Sequence, residues 1–171
     1  MAEKIIRSIG DPVLRERCMP IRTVNASVLK LLNDLADTLY AEPGRAGLAA
    51  PQIGIPKRVA VVDTEDGVIE LINPVIVERK GSQEGAEGCL SIPNVYGYVT
   101  RSTYIKVSSL NRNGEETVLE AEGFTAICMQ HEIDHLDGIL YIDHVKQGDL
   151  FEEKTDQSID VFRLIRESRQ L

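Results

Sequence analysis

A chain of 171 residues with 43% hydrophobic and 27% charged residues can bury a core of its own, and it reads as one domain over 1–171. Its 19 basic and 27 acidic residues leave a formal charge of −8, which argues against a general phosphate-binding surface, so no direct nucleic-acid binding is expected. No charged and apolar export leader is visible and no apolar run nears the roughly 20 residues of a membrane span, so the expected location is cytoplasmic, with no membrane partner.

Taken in chain order, Asp11 before Pro12 suits the cap and first position of a short helix. Over 26–40, Val28, Leu31, Leu32, Leu35 and Leu39 form an apolar stripe at helical spacing. The Gly-, Ala- and Pro-rich stretch 42–56 breaks that period and reads as an extended loop able to approach another surface closely. Strands are expected at 58–63 and 68–73, joined by the turn residues Thr64, Glu65, Asp66 and Gly67. Further strands follow at 75–79, 98–101, 104–110 and 117–122, with 111–114 as a second hairpin turn. The stretch 124–140 carries a helix that Gly138 stops, and the tail over about 156–169 reads as a terminal helix docked by one face. The expected class is α+β, with antiparallel strands in small sheets packed around a central helix and a C-terminal helix.

That central helix contains His131, Glu132, Ile133, Asp134 and His135, an HExxH signature. Four residues advance a helix by about 400°, so both imidazoles leave nearly the same face, within reach of one ion. Glu132 lies about 100° round, where its carboxylate can take a proton from water without becoming a ligand. Ile127, Ile133 and Leu136 surround the histidines with apolar residues, and buried imidazoles need partners. Paired histidines also occur as mere surface residues, so the third ligand matters.

Cysteines Cys18, Cys89 and Cys128 are odd in number and irregularly spaced, which argues against a disulfide framework and leaves thiols free. Cys128 shares the helix face of His131, but about 10 Å of rise separates it from His135, so it reads as a buried core thiol. Tyr141 occupies the place where a metzincin would carry a third His. Glu152 and Glu153 sit in a polar stretch and read as a solvated face, and His144 as a solvent-facing residue beyond the helix. Geometry favours Cys89, flanked by Gly88 and arriving from a separate strand, although a small buried hydrophobe is its plainer reading.

Three segments stand in order: Gly47 to Gly54 (GLAAPQIG), Glu87 to Ser91 (EGCLS), and Gln130 to Leu136 (QHEIDHL). Together they resemble the signature motifs of bacterial-type peptide deformylases, and the likeness covers most of residues 5–145. The resemblance implies removal of the N-formyl group from formylmethionine at the start of newly made chains, with release of formate. It implies Cys89, His131 and His135 as metal ligands, Glu132 as proton carrier, and the Leu90 N–H and Gln52 amide as donors to the oxyanion. Gly47 would lie along the substrate backbone, and Ile127 and Cys128 would line the methionine pocket. One divalent ion is implied, Fe2+ first and Zn2+ as the alternative, since a Cys, His, His set suits either. Two departures stand out: Arg45 and Ala46 precede Gly47 where the family commonly has Gly-x-Gly, and the tail after Asp143 diverges. N-formylmethionyl nascent peptides are thus the expected partners, while the mixed charge of the tail gives no support to a ribosome-docking basic helix.

Overall fold

The computed structural model describes residues 3–170. A 3-10 turn over Pro12–Arg15 begins where the Asp11 carboxylate accepts the Val13 N–H, with Pro12 at the first position as the sequence predicts. Helix α1 (Ala26–Tyr40) follows the apolar period, and the Asn25 side chain caps it by accepting from the Ser27 and Val28 N–H groups.

The expected loop over 42–56 contains more structure than its composition suggests. It holds strand β1 (Gly47–Ala49) and a 3-10 turn, Ala50–Ile53. Gly and Ala hide a strand here because its order comes from ladder bonds to the next strand, β2 (Val59–Thr64), rather than from side-chain propensity. Strand β3 (Gly67–Lys80) fuses the two expected strands at 68–73 and 75–79. Asn73, at φ +50°, and a register shift between Ile72 and Val75 carry it past Pro74, which has no N–H for the ladder.

Strand β4 (Gln83–Cys89) has no counterpart in the sequence periodicity, and β5 (Ile92–Arg101) begins well before the expected 98. Strands β6 (Tyr104–Leu110) and β7 (Glu116–Glu122) match their expected positions closely. The HExxH helix, α2, spans Gly123–Leu136. Gly138 terminates it at φ +71°, and a Cβ there would meet the Arg15 carbonyl oxygen at 2.5 Å, so both conformation and space demand glycine. A short strand, β8 (Leu150–Glu152), follows unannounced, and helix α3 (Val161–Arg169) starts later than the expected 156 because Asp160 is its cap.

The strands named here pair antiparallel throughout, in one sheet ordered β1-β2-β3-β6-β7 and another ordered β4-β5-β8. Strand β2 shows how the layers form. Its Val59 and Val61 pack with Leu31, Leu32, Leu35 and Leu39 of α1, while Ala60 and Val62 pack with Ala126, Met129 and Leu136 of α2. Alternating side chains thus bury both faces of one strand between two helices. Each α1 leucine so buried contributes about 2 kcal/mol. The smaller sheet packs Ile92, Val99 and Leu150 with Leu14, Tyr141 and Val161, which brings β4 and β5 alongside α2.

Candidate active site

Helix α2 is buried nearly all round, so its polar residues 130–132 and His135 lie inside the protein. Buried polar groups require partners, and most of these are found on the smaller sheet. Cys89 ends β4, and Leu90 and Ser91 form the tight connection to β5, closed by the pairing of Cys89 with Ile92. The turn aims the thiol at the histidines: Cys89 Sγ lies 3.4 Å from His135 Nε2. One ligand atom each from Cys89, His131 and His135 falls within 4.8 Å of the other two.

A charged network orients the cluster. Glu87 Oε1 lies 2.9 Å from His131 Nδ1, which leaves Nε2 for the centre. Arg101 donates from Nε and Nη2 to the two Glu87 oxygens, both at 2.9 Å, and from Nη1 to Asp134. Arg101 and Glu87 side chains are only 5% and 6% exposed, so this fork is a desolvated ion pair. His144 Nε2 meets Asp134 Oδ2 at 2.9 Å, so His144 is half-exposed yet tied to the network and lies outside the ligand cluster.

The two histidines of the cluster are shifted in opposite directions. Burial opposes the charged form of Glu87, but hydrogen bonds with His131 and Arg101 outweigh it and hold the carboxyl at about 2. Burial likewise lowers the His131 pKa, while hydrogen bonds with Cys89 and Glu87 hold it well above its ordinary value. Burial and the neighbouring His131 charge keep His135 well below its ordinary value, and its buried Nδ1 has no hydrogen-bond partner among the described residues. One sulfur and two imidazoles whose ligand atoms fall within 4.8 Å of one another form a donor set that fits Zn2+ or Fe2+.

Glu132 stands beside the cluster, 4% exposed, with Oε2 buried and unpartnered among the described residues. Burial pushes its carboxyl up to about 7. It fits there because β1 passes it with a glycine: a Cβ on Gly47 would lie 2.5 Å from Glu132 Oε1. Gly47→Ala is therefore expected to displace the carboxylate and cut turnover by about a hundredfold while the metal stays bound, checked by steady-state kinetics beside metal analysis.

Gln52 is fixed at both ends. Its Oε1 accepts the Ala49 N–H at 2.9 Å, and its Nε2 lies 3.2 Å from Ser91 Oγ and 3.6 Å from Cys89 Sγ. Gly47, Gln52, Leu90, Ile127 and Cys128 all line one cavity of about 550 Å³, which also reaches Cys89, His131 and Glu132. Every residue singled out in the sequence for catalysis, metal binding or substrate contact thus sits at this cavity or, for His135, directly behind it. Sequence reasoning missed the Arg101–Glu87–Asp134 network, whose one local signal is the acid two places before Cys89. Glu153 is exposed, as read from its polar stretch, and it also borders the cavity.

Cys18 and Cys128 are buried, whereas Cys89 is half-buried and borders the cavity. Burial pushes Cys128 up to about 12, with the Glu132 charge adding to it, and burial pushes Cys18 up to about 11. Because the thiolate is the nucleophile, iodoacetamide at pH 8 is expected to label metal-free protein at Cys89 alone, and to spare Cys89 once metal is bound. Mass-spectrometric mapping of the labelled peptides checks this; labelling of Cys128 ahead of Cys89 would contradict it.

Comparison with known proteins gives a consistent family. Residues 3–150 match the family model described as polypeptide deformylase. The chain is 50% identical over 147 residues to the peptide deformylase of Desulfitobacterium hafniense, covering 86% of this chain and 97% of that one. To the peptide deformylase of Carboxydothermus hydrogenoformans it is 52% identical over 143 residues, covering 84% and 93%. The crystal structure of peptide deformylase from Thermotoga maritima superposes with a TM-score of 0.82 at 40% identity, covering 85% of this chain and 99% of that one.

Proposed function

Since the chain belongs to the polypeptide deformylase family, we propose that Cys89, His131 and His135 hold one divalent ion, Fe2+, beside Glu132 as the proton carrier. The enzyme is a metal-dependent hydrolase that removes the N-formyl group from formylmethionine at the start of newly made polypeptides and releases formate. The observation that carries the residue assignment is the convergence of one thiol and two imidazoles within 4.8 Å, next to a buried, unpartnered carboxylate oxygen. Zn2+ suits the same donors and is the alternative ion.

When bound, the ion supplies Lewis acidity, lowering the pKa of water and polarising the formyl carbonyl. Glu132 Oε2, without a hydrogen-bond partner among the described residues, accepts the proton of the attacking water. The tetrahedral carbon that results bears a negative oxygen, and the Leu90 N–H and Gln52 Nε2 donate to it. Gln52 is pre-oriented for this by Ala49, so little reorganisation accompanies the step. As the carbon–nitrogen bond breaks, Glu132 returns the proton to the leaving amine, giving formate and a free N-terminus. Ile127 and Cys128, on the apolar wall one turn before His131, take the methionine side chain, and Gly47 on the β1 edge lies along the substrate backbone. The chain works as one domain in the cytoplasm, where new polypeptides are made; among the described residues no helix is long and apolar enough to cross a membrane.

Formate release from formyl-Met-Ala-Ser by anaerobically purified, iron-loaded protein tests this reading. Turnover that is lost on chelation and restored by Fe2+ is expected. A folded, metallated protein that leaves the formyl peptide intact, or that cuts internal bonds of unformylated peptides, would overturn it.

A further inference from the structure

The two donors assigned to the oxyanion stand on different sheets. Gln52 follows β1, at the edge of the five-stranded sheet, whereas Leu90 lies in the turn between β4 and β5 of the smaller one. Neither ladder sets the distance between them. Two joints span the gap. One is the contact of Gln52 Nε2 with the Oγ of fully buried Ser91 at 3.2 Å. The other is the extended stretch that precedes the first 3-10 turn: the Arg7 N–H donates to the Gln52 carbonyl at 2.7 Å, and the Ile9 N–H donates to the Ser91 carbonyl at 2.8 Å. Residues two apart in extended backbone direct their N–H groups to the same side, so one short strap bonds both turns at once.

The strap is itself anchored at both ends. Upstream, the Lys4 N–H donates to Thr38 Oγ1 on α1 at 3.0 Å, and Ile6 packs against the α1 cluster that also receives Leu90. Downstream, Ile9 and Cys89 both pack against the cluster of the smaller sheet, and Gln170 Nε2 donates to the Gly10 carbonyl at 2.6 Å. A turn closes the strap: the Asp11 N–H donates to the Ser8 carbonyl at 3.1 Å, with Gly10 at φ +98° in the third place. The Arg7 side chain lies across Gly54, where a Cβ would stand 2.9 Å from its Nε, so the strap is seated closely on the turn that carries Gln52. Neither Arg7 nor Ile9 lines the cavity, so the strap acts on substrate only through the two turns it bonds.

Resting on the deformylase reading, we propose that residues 7–9 are a positioning element of the reaction: the Arg7 and Ile9 N–H groups hold the Gln52 amide and the Leu90 N–H at the separation that the tetrahedral oxygen requires. Preorganised donors stabilise developing charge because they need not reorient when it appears, and a misplacement of about 1 Å can cost about a hundredfold in rate. Loss of a strap bond lets the two turns shift against each other at the oxyanion. Cys89 keeps the β4–β5 ladder, and His131, Glu132 and His135 keep α2. The effect therefore falls on kcat, with metal content retained and KM little changed.

Proline deletes an N–H and leaves the carbonyl. Ile9 holds the second place of its turn, where proline is a favoured residue, so Ile9→Pro removes the bond to Ser91 without reversing the turn, whereas Ile9→Ala keeps the N–H and loses only packing. Arg7→Pro and Arg7→Ala form the same pair for the bond to Gln52. With iron-loaded enzyme and formyl-Met-Ala-Ser, each proline variant is expected to lose about ten- to hundredfold in kcat, with full metal content and KM within about threefold; its alanine partner should lose less than about threefold. In a Gln52→Ala background the proline change should cost under about threefold, because one donor alone remains to be aligned, whereas a merely structural role gives the same loss in both backgrounds. One folded proline variant suffices for the comparison. Equal kcat in the proline and alanine variants, an undiminished loss beside Gln52→Ala, or proline variants that fold at neither position overturn the proposal, while formate release by the unaltered enzyme leaves the deformylase reading intact. No formate from the unaltered, metallated enzyme would overturn both.

Discussion

Glu132→Gln is expected to slow formate release by about a thousandfold, some 4 kcal/mol of barrier, with the metal still bound. The amide matches the carboxylate in shape, so the packing of Glu132 against the Gly47 backbone survives, but it cannot accept a proton. Glutamine is no substitute for a ligand either, and Glu132 is not one of the three converging donors, so metal content should match the unaltered protein. The thermal midpoint should not fall, because an amide is less costly to bury than an unpartnered carboxylate. Kinetics and metal analysis on one preparation decide the matter. Activity within tenfold of the original would remove Glu132 from the chemistry, and loss of the metal would make it a ligand.

Arg101→Ala is expected to be the most damaging single change to stability, by about 3–5 kcal/mol, because it strands the Glu87 carboxylate in the interior. The effect should extend to the centre. Glu87 sets which His131 nitrogen faces the other ligands, and loss of such an outer partner typically weakens metal binding by about 10–100-fold. Arg101→Lys keeps the charge but not the two-pronged contact with Glu87 or the reach to Asp134, so it should fall between the two. Denaturant midpoints and competition with a chelator measure the two effects. A loss of less than about 1 kcal/mol would mean that water or a neighbouring side chain takes over the arginine's role.

What the sequence made legible was local in origin. The period of Leu31, Leu35 and Leu39 reports one buried helix face, and it located α1 over the span observed. HExxH needs only the helical advance of four residues to bring two imidazoles together. Hairpin turns between β6 and β7 announce themselves through Asn111 to Gly114, whose Asn111 side chain accepts the Asn113 and Glu115 N–H groups. The elements that escaped are those whose order comes from distant partners. Strand β4, QEGAEGC, has neither alternation nor β-branched residues, and it is a strand because β5 pairs with it from end to end. Strand β1 hides within a Gly-Ala-Pro run for the same reason, and β8 lies in a polar stretch ordered by its pairing with β5 and with the segment around Ser158.

The site divides along the same line. Cys89 was favoured as third ligand because a thiol from a separate strand fits the open side of the helix, and the resemblance pointed to the same residue. The fork from Arg101 to Glu87 and Asp134 was invisible, since it joins β4, β5 and α2 through side chains that are far apart in the chain.

X-ray absorption at the metal edge of anaerobically purified protein tests the central claim most directly. For a zinc-loaded sample the account predicts one sulfur at about 2.3 Å and two imidazole nitrogens at about 2.0–2.1 Å, with the sulfur shell lost in Cys89→Ser. A coordination shell without sulfur, or one unchanged by Cys89→Ser, would contradict it.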